Sequence, residues 1–501
     1  HNGYCSTMKL LTFIEKTGNK LPDPATLFVV GTLTIFILSA MIANLGWSVI
    51  DPKGNAIVAF DLTSSDGIWW LLSTMVKNFI SFPPLGIVLV GMLGIGLAEK
   101  TGFLPALLHF SITHVHARLL TPATMFLGII SSIALDTGYV VLIPIAAALY
   151  IAAGRSPLTG IAVSFAGVSA GFSANLFITA LDPLLAGFTQ AGAQIIDADY
   201  QVAVTGNWWF MIVSTIILTF VGWFVTERFI EPAIEGVADQ NLDDNYSALN
   251  NAEKRALLYS VSSVFILLIT LFFAITLTNA PLYGEGKRFD RWIEATVPLL
   301  FILFFVPGLI YGALAGTVKN DRDVANMLGE VMARLGPYIV LAFFAAQFIA
   351  AFNQSGLGQM LAIAGGQFLR QLMVQDALLL SCFVLMVVVI NLVIGSSSAK
   401  YAFFAPVFVP MLMQIGISPE LTQAAYRVGD SVSNVITPMN PYMIIIIIEV
   451  RKYVRGSGLG TVVAMMLPYT IAFLIVWLIL LVVWINTGLP LGPGGGLFYK
   501  F

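Results

Sequence analysis

The sequence GSSSAKYAFFAP at residues 395–406 interrupts a long apolar stretch with small polar side chains and a lysine. That stretch covers residues 377–415, and a second one at 119–153 is interrupted in the same way by SSIALDTG at 131–138. Non-helical backbone at membrane depth is tolerated only where it is buried in protein or lines a water-filled cavity. We therefore expect each stretch to form a re-entrant hairpin with a polar tip.

The composition places the whole chain in a membrane. Of its 501 residues, 58% are hydrophobic and only 10% are charged, whereas soluble proteins carry roughly 25% charged residues. The lipid bilayer is therefore the first partner that the sequence predicts. The 24 basic and 27 acidic side chains leave a net charge of −3. This charge offers no field for a polyanion, so nucleic acid is excluded as a partner.

Hydropathy predicts an all-α integral membrane protein with about nine transmembrane helices, because an apolar helix of about 20 residues crosses the hydrocarbon. Basic residues are in excess on the side of the N-terminus, which predicts a cytoplasmic N-terminus and a C-terminus on the opposite side. The predicted crossings lie at residues 26–47, 84–98, 158–195, 208–226, 256–279, 292–316, 337–352, 421–449 and 459–486.

An internal repeat organises the chain. The spacing Y-x4-P-x12-P that begins at Tyr139 occurs again at Tyr401, and the pattern T-x-x-[D/N]-P at Thr179 occurs again at Thr437. The first pair is offset by 262 residues and the second by 258. Because the predicted topology runs the first span of each half in opposite directions, the repeats are predicted to be inverted. Inverted repeats are typical of secondary transporters, whose site lies between the repeats near the midplane.

The predicted organisation follows from this repeat. Repeat 1 covers residues 83–228, with the hairpin at 119–153 and a helix broken by polar residues at 158–195. Repeat 2 covers residues 336–486, with the hairpin at 377–415 and the broken helix at 421–449. The remaining segments are predicted as an expression remnant at 1–7, an N-terminal scaffold span with an interfacial segment at 8–82, a linker with two scaffold spans at 229–335, and a flexible C-terminal tail at 487–501.

Ionisable residues at membrane depth usually pair with each other or line a pathway. Arg427 and Asp430 are three residues apart, near enough on a helix to pair, and Lys400 is placed to neutralise an aspartate. Asp182 has no basic residue within four positions, and desolvation favours the neutral form of a carboxyl group. Asp182 is therefore predicted to carry a proton, with Asp430 as a second ion-coupling residue and Asp136 as a polar group at the first hairpin tip.

These residues and their polar neighbours are predicted to form the transport site. Arg427 can hold a substrate carboxylate through a two-pronged hydrogen bond, and the broken helices supply hard oxygens for a cation. No ATP-binding motif is present, so the sequence predicts no cofactor beyond Na⁺ or H⁺ as the coupling ion. The substrate residues are Arg427, Lys400, Ser397, Asn434, Pro438 and Asn440, and the cation or polar shell is Asn175, Thr179, Asp136, Ser433 and Thr437.

The hairpin sequence at 395–406, together with YRVGDSVSNVITPMNPY at 426–442, resembles the p-aminobenzoyl-glutamate transporter (AbgT) family, and the resemblance extends over nearly the whole chain. It implies a homodimer in the bacterial inner membrane, with nine spans and two hairpins per protomer. It also implies uptake of p-aminobenzoyl-glutamate, or efflux of p-aminobenzoate-like sulfonamide antimetabolites. Carried over to this chain, it marks Asp182 as the central carboxylate and Pro419, Arg427 and Asp430 as the surroundings of the second site.

One position departs from the family pattern. The aromatic residue that follows Ala-Lys at the hairpin tip is usually tryptophan in the family, whereas this chain has Tyr401. A tyrosine ring can still stack on an aminobenzoyl group, so Tyr401 joins the predicted substrate residues, and the substrate preference stays open.

The sequence thus predicts an ion-coupled secondary transporter of p-aminobenzoate-type aromatic acids and not an enzyme. The first interpretation is proton-driven efflux by alternating access, and the alternative is sodium- or proton-coupled uptake of p-aminobenzoyl-glutamate. A passive channel is the alternative of another class. An intramembrane aspartyl protease is disfavoured because Asp430 follows Val428-Gly429 and not a G-x-G motif.

Overall fold

The computed structural model describes residues 23–50, 54–134, 137–234, 249–284 and 290–500. In these ranges the regular structure is helical except for one short antiparallel pair, β1 (Ser48–Ile50) and β2 (Ala56–Val58). Hydropathy did not predict this pair, because three-residue strands leave no periodic signal. The predictions for residues 1–7 and for Asp136 lie outside the described residues.

The helices follow the predicted order of spans, hairpins and broken helices. They are α1 (Pro24–Leu45), α2 (Ser65–Ile80), α3 (Pro83–Lys100), α4 (Phe103–Thr113), α5 (Leu120–Ile130), α6 (Ile143–Ala152), α7 (Pro157–Phe165), α8 (Leu181–Ala193), α9 (Trp208–Val225), α10 (Glu231–Ile234), α11 (Asn251–Thr276), α12 (Asp290–Glu294), α13 (Thr296–Ala315), α14 (Asp321–Arg334), α15 (Gly336–Gln354), α16 (Leu357–Gln371), α17 (Asp376–Asn391), α18 (Ser397–Met413), α19 (Pro419–Val432), α20 (Met443–Tyr453) and α21 (Leu459–Thr487).

Seven helical stretches in the described part of the chain are long and apolar enough to cross a membrane. They coincide with seven of the predicted crossings, and one of them joins α2 and α3 into a single 36-residue stretch, Ser65–Lys100. The other two predicted crossings, 158–195 and 421–449, are the broken helices. The total of nine crossings and their orientation stay predictions.

Each broken helix consists of two helical pieces joined by irregular backbone. In the first, α7 continues as a π turn, Ala166–Ala170, and helical structure resumes with α8. In the second, α19 ends at Val432 and α20 begins at Met443. Pro438 lies inside this second break, where its missing amide and the restriction on the residue before it disfavour a continuous helix. The backbone groups of residues 171–180 and 433–442 therefore lie outside regular helical pairing and can bond to other partners.

The second hairpin packs against both broken helices. Its arm α18 lies along α8, and its arm α17 lies along α19. A Cβ atom on Gly192 would lie 2.4 Å from the carbonyl oxygen of Ala405, and one on Gly429 would lie 2.6 Å from that of Val384. Because only hydrogen fits at these two positions, the helices meet at backbone distance. Helix α19 also contacts α8, so one piece of each broken helix lies beside the other.

The C-terminal tail is packed, contrary to the expectation that it is flexible. Leu491 and Leu497 are buried. The carbonyl oxygen of Leu491 accepts a hydrogen bond from the amide of Phe210 at 3.0 Å, and that of Leu497 accepts one from the amide of Ser418 at 3.1 Å. Two buried leucines with paired backbone groups therefore hold the tail against the first turn of α9 and the loop between α18 and α19.

Candidate functional site

Asp182 lies in the first turn of α8 and is buried, with 2% of its surface exposed. Its Oδ2 atom accepts hydrogen bonds from the Thr179 amide at 2.6 Å and from the Thr179 hydroxyl at 3.0 Å. The positive end of the helix dipole and these two donors stabilise a negative charge at this position. The break before α8 is therefore folded around a carboxylate.

Arg427 is the cationic partner of Asp182. Its Nη2 atom lies 2.5 Å from Oδ1 of Asp182, and both side chains are buried. The Nη1 atom donates to the carbonyl oxygen of Ser173 in the first break, at 3.4 Å. Asp182 is isolated in the sequence but not in space, because α19 brings Arg427 to it from the other predicted repeat. Arg427 therefore does not pair with Asp430, although the two are near neighbours on one helix.

Asp430 pairs with Lys400 at the start of the second hairpin's returning arm. The Lys400 Nζ atom lies 2.6 Å from Asp430 Oδ1, and each side chain is 1% exposed. The ammonium group also donates to the side-chain oxygen of Asn391 and, at 3.3 Å, to the carbonyl oxygen of Ile394. Neutralisation of an aspartate, the alternative that the sequence left open for Lys400, corresponds to this contact, and its role as a substrate residue stays a prediction. Two buried ion pairs therefore involve α19, one to each predicted repeat.

Asn391 ties the second hairpin to the second break. Its Nδ2 atom lies 2.8 Å from the carbonyl oxygen of Asp430, 2.9 Å from the hydroxyl of Ser433 and 2.8 Å from Oδ1 of Asn434. Thr437 makes a further contact, donating to the carbonyl oxygen of Leu392 at 3.3 Å. The predicted polar residues Ser433, Asn434 and Thr437 thus lie together, and they face the hairpin tip.

Asn175 does the same for the first hairpin and the first break. Its Nδ2 atom donates to the carbonyl oxygen of Ile130 at 3.2 Å and to the hydroxyl of Ser132 at 3.0 Å. Its Oδ1 atom accepts a hydrogen bond from the Phe177 amide at 2.9 Å. Each hairpin tip is therefore held to its own break by the amide group of one buried asparagine.

The two breaks share a local hydrogen-bond pattern. The hydroxyl oxygen of Thr179 accepts from the amide of Leu181 at 3.2 Å, and that of Thr437 accepts from the amide of Met439, also at 3.2 Å. In both places a threonine side chain takes up an amide that the broken helix leaves unpaired. This is the structural counterpart of the repeated T-x-x-[D/N]-P sequence.

Each break also contacts the helical residues just before the other break. The amide of Ser173 donates to the hydroxyl of Ser431 at 3.1 Å, and Asn440 Nδ2 donates to the hydroxyl of Ser169 at 3.1 Å. Asn434 Nδ2 lies 3.4 Å from the carbonyl oxygen of Ser169. With the Arg427–Asp182 pair, these bonds make the meeting point of the broken helices a continuous polar region inside an apolar protein.

Two further predicted substrate residues lie on α19 and α18. Pro419 is the first residue of α19, so it precedes Arg427 by about two helical turns, roughly 12 Å along the helix axis. Tyr401 is wholly buried, and its hydroxyl lies 2.7 Å from that of Thr189 on α8. The Tyr401 ring is therefore a packed, hydrogen-bonded group in this conformation.

Ser397 and Pro438 have different surroundings. The carbonyl oxygen of Ser397 accepts a hydrogen bond from the Tyr426 hydroxyl at 2.7 Å, and the buried Ser397 hydroxyl has no partner among the described residues. Pro438 is half-buried within the second break. Ser397 therefore lies near the Lys400–Asp430 pair through Tyr426, whose hydroxyl also lies 3.4 Å from Asp430.

Sequence reasoning missed Asn391, Gln423 and Thr189. Asn391 had a usable signal, since it is an asparagine at the end of an apolar hairpin arm, directly before the polar tip. Thr189 had none, because isolated threonines are common in helices. Its hydroxyl lies 2.7 Å from Gln423 Oε1, and only the packing of α8 against α19 creates this contact.

Oxygen atoms suited to a small cation surround the Lys400 ammonium. They belong to Asp430, Asn391 and Ile394, and carboxylate, amide and carbonyl oxygens are the ligands of hard cations. In the described part of the chain, no three His, Cys, Asp or Glu side chains are grouped as a metal site would need. The arrangement can hold a monovalent cation, a role that the lysine side chain fills here.

A family profile described as "AbgT putative transporter family" matches residues 9–499 of the chain. The chain belongs to the AbgT transporter family. An AbgT relative, the p-aminobenzoyl-glutamate transport protein of Escherichia coli (strain K12), is 34% identical over 492 residues, which are 97% of this chain and 96% of that protein. The chain is accordingly a multi-pass helical membrane transporter.

Two solved AbgT structures are similar to the present one. The YdaH transporter of Alcanivorax borkumensis has a TM-score of 0.91 and 41% identity, and the match covers 94% of this chain and 100% of that one. MtrF of Neisseria gonorrhoeae, described with a class of antimetabolite efflux pumps, has a TM-score of 0.89 and 40% identity, with 97% and 100% covered. The expected resemblance and the helical transporter fold are therefore confirmed.

Proposed function

We propose that the chain is a proton-coupled secondary transporter that exports p-aminobenzoate-type aromatic acids and sulfonamides by alternating access. The observation that carries this proposal is the buried Arg427–Asp182 ion pair between the two broken helices. Charges at membrane depth mark ion and substrate pathways. The substrate class is supported by the E. coli relative, named for p-aminobenzoyl-glutamate, and the direction by the similarity to MtrF.

Export requires that a proton and the substrate exclude each other. An aromatic amine is a hydrogen-bond donor, and Oδ1 of Asp182 is an acceptor that Arg427 now occupies. A substrate amine that takes this acceptor binds most tightly while Asp182 is ionised, because a hydrogen bond to a carboxylate is stronger than one to the neutral acid. By linkage, the substrate must then weaken proton binding by the same factor. An acidic exterior would therefore release substrate outward and return a proton inward.

Proton-coupled uptake of p-aminobenzoyl-glutamate is the second candidate, and Arg427 favours it. A substrate carboxylate that takes the guanidinium in a two-pronged bond leaves Asp182 buried and unpaired. Such a carboxyl group prefers its neutral form, so proton and substrate would bind together. The two candidates therefore differ in one contact: the substrate amine on Asp182 or the substrate carboxylate on Arg427.

Three labelled compounds separate these contacts in liposomes containing the purified protein. p-Aminobenzoate offers both groups, sulfanilamide offers the amine without the carboxylate, and benzoate offers the carboxylate without the amine. Exchange at Asp182 predicts that sulfanilamide is transported and moves against the proton flow. Cotransport through Arg427 predicts that benzoate is transported and moves with it. Compounds that only equilibrate, without accumulating under any gradient, would indicate a passive channel.

The coupling ion is tested in the same liposomes. Flux driven by a pH gradient and lost in Asp182→Asn supports the proposal, because the amide can accept a hydrogen bond but cannot take up the proton. Asp182→Asn with unchanged pH-driven flux would overturn the role of Asp182. Flux that follows only a sodium gradient would instead assign the polar shell around Asn175, Thr179 and Thr437 to a cation.

We also propose that the protein is a homodimer in the bacterial inner membrane, with a cytoplasmic N-terminus and a periplasmic C-terminus. Only 6% of the most apolar 18 consecutive residues of α11 are buried within the protomer, so this helix faces lipid or a second copy. Cross-linking in native membranes tests the dimer, and labelling of terminal cysteines by a membrane-impermeant reagent tests the orientation. A monomer in membranes, or labelling of the N-terminus from the periplasm, would contradict these two assignments.

A further inference from the structure

Helix α19 carries a stripe of polar side chains along one face. Glu420, Gln423, Arg427 and Asp430 are spaced at three, four and three residues, and this spacing keeps them on one side of a helix. All four are buried, with exposures of 2%, 2%, 1% and 1%. Arg427 and Asp430 belong to the ion pairs described above. The stripe extends beyond them toward the first turn of the helix.

Helix α8 packs along this stripe, and its chain runs in the opposite direction to α19. Asp182, in the first turn of α8, contacts Arg427, and Thr189, two turns later, lies 2.7 Å from Gln423. The position in α8 rises as the position in α19 falls, so the two helices are antiparallel along this contact. The hydroxyl of Tyr401 adds a third group, 2.7 Å from Thr189. A buried polar row therefore leads from the ion pair toward the start of α19.

Glu420 is at the end of this row and has no cationic partner among the described residues. Its Oε2 atom accepts a hydrogen bond from the Tyr200 hydroxyl at 2.9 Å, and its backbone carbonyl accepts one from Asn207 at 2.9 Å. The other ionisable groups nearby are the hydroxyl of Tyr401 on α18 and, behind Tyr200, the Tyr499 hydroxyl, which donates to Asp197 at 3.1 Å.

In the described part of the chain, the Glu420 carboxyl group has two donors, the Tyr200 hydroxyl and its own backbone amide, and both are neutral. An ionised carboxylate with only neutral donors is costly to bury, and protonation removes that cost. The same argument does not apply to Asp182 and Asp430, because each has a buried cation beside it. Glu420 therefore differs from Asp430 in the stripe and from Asp182 on α8, since a proton is the simplest partner that its surroundings can accommodate.

A cavity of about 810 Å³ lies beside the segment that follows Tyr200. Residues 201–204 line this cavity together with Gln190, Glu294 and Gly494 of the tail. Tyr200, the residue directly before this lining segment, carries the hydroxyl that contacts Glu420. The loop that contacts the buried carboxyl group through Tyr200 therefore continues directly into the lining of an open, partly polar space.

We propose that Glu420 is a second proton-binding residue of the transport cycle, loaded from this cavity past Tyr200 and linked to Arg427 through Gln423. Glu420 takes one proton from water in the cavity and, after the change of conformation, releases it to water on the opposite side of the membrane, so no other reactant is needed. This inference rests on the proposed proton coupling. It adds a proton that is counted separately from the one on Asp182.

The number of coupled protons gives the test. Across a gradient of one pH unit, each coupled proton contributes a factor of about ten to the substrate accumulation ratio. The logarithm of that ratio in liposomes, plotted against the pH difference, therefore has the proton number as its slope. Glu420→Gln is expected to lower the slope by one proton. An unchanged slope in this variant would overturn the inference.

A matched control separates this effect from a general loss of a buried acid. Glu449 is also a buried glutamate, but it pairs with Lys452 at 2.9 Å and lies on α20, outside the stripe. Glu449→Gln is expected to keep the wild-type slope, and a slope lowered equally in both variants would contradict a specific role of Glu420. If Glu420→Gln does not fold, Tyr200→Phe keeps the carboxyl group and removes the hydroxyl that donates to it. That variant is expected to shift the pH profile of transport, and an unshifted profile would count against the proposal.

A second measurement does not depend on transport. Infrared difference spectra of the purified protein, recorded between two pH values, show the C=O band of any carboxylic acid that titrates. We expect a band that is present in the wild type and absent in Glu420→Gln. A wild-type spectrum without this band, or the same band in Glu420→Gln, would overturn the inference even if transport is proton-coupled. Its presence in a protein that shows no pH-driven flux would uphold proton binding at Glu420 and reject the proposed function.

Discussion

Arg427 Nη2 and Asp182 Oδ1 lie 2.5 Å apart, although the two residues are 245 positions apart in the chain. Each comes from a different broken helix. Asp182 also accepts a hydrogen bond from the Thr179 amide of the first break, and Arg427 donates one to the Ser173 carbonyl oxygen there. A buried pair of this kind contributes little net stability, but the loss of one member leaves an uncompensated charge. An ion or a substrate can therefore break this contact only if it supplies a new partner for the charged group that it displaces.

Asp182→Asn is expected to destabilise the protein, since it leaves the Arg427 guanidinium buried without a countercharge. Breaking one side of a buried pair costs about 3–5 kcal/mol. Removing both charges in Asp182→Asn/Arg427→Gln is expected to recover most of this loss. Thermal unfolding in detergent measures the effect, with Asp199→Asn, an exposed acid, as the control. A double variant no more stable than the single one would show that the pair is not the source of the effect.

Lys400→Ala is expected to create a site for sodium. The ammonium group lies among oxygens of Asp430, Asn391 and Ile394, and these are ligands that a hard cation accepts. A ligand that binds only the folded protein raises its stability with concentration. We therefore expect the melting temperature of the variant to rise with sodium chloride but not with choline chloride. Equal responses to the two salts would contradict this prediction.

Asn391→Leu is expected to detach the second hairpin tip from the second break. The Asn391 amide contacts Asp430, Ser433 and Asn434 within 2.9 Å, and leucine has a similar size but no donor. Each buried polar group left without a partner costs about 1–3 kcal/mol. Lower thermal stability with loss of transport is the expected result. Ser381→Ala provides the control, because the Ser381 hydroxyl lies in the same helix and donates to the carbonyl oxygen of Ala377 within that helix.

Tyr401→Phe and Tyr401→Trp are expected to act differently. The phenylalanine variant loses the contact with Thr189, which costs about 1 kcal/mol. The tryptophan variant restores the aromatic residue usual in the family but overfills a wholly buried position, at about 1–3 kcal/mol. Melting temperatures and the relative transport of p-aminobenzoate and p-aminobenzoyl-glutamate measure both effects. A tryptophan variant more stable than the wild type would show that the position has room for the larger ring.

The sequence predicted the broken helices, the two polar interruptions and the residues that supply most of the polar region. These features have local causes: long apolar runs, prolines that cannot continue a helix, and small polar residues in an apolar stretch. It also left open, beside a substrate contact, that Lys400 neutralises an aspartate. It did not show that Asp430 was that aspartate, because Arg427, three residues away, was an equally good partner by spacing alone.

The sequence by itself determined which charged side chains must be buried, since an apolar stretch long enough to cross a bilayer takes its few ionisable residues with it. Only the tertiary structure decided which of them meet. Asp182 finds Arg427, and Thr189 finds Gln423, because α8 lies antiparallel to α19. Spacing along one chain determines which residues share a helix face, but contact between two faces depends on how separate helices pack, and hydropathy carries no record of that packing.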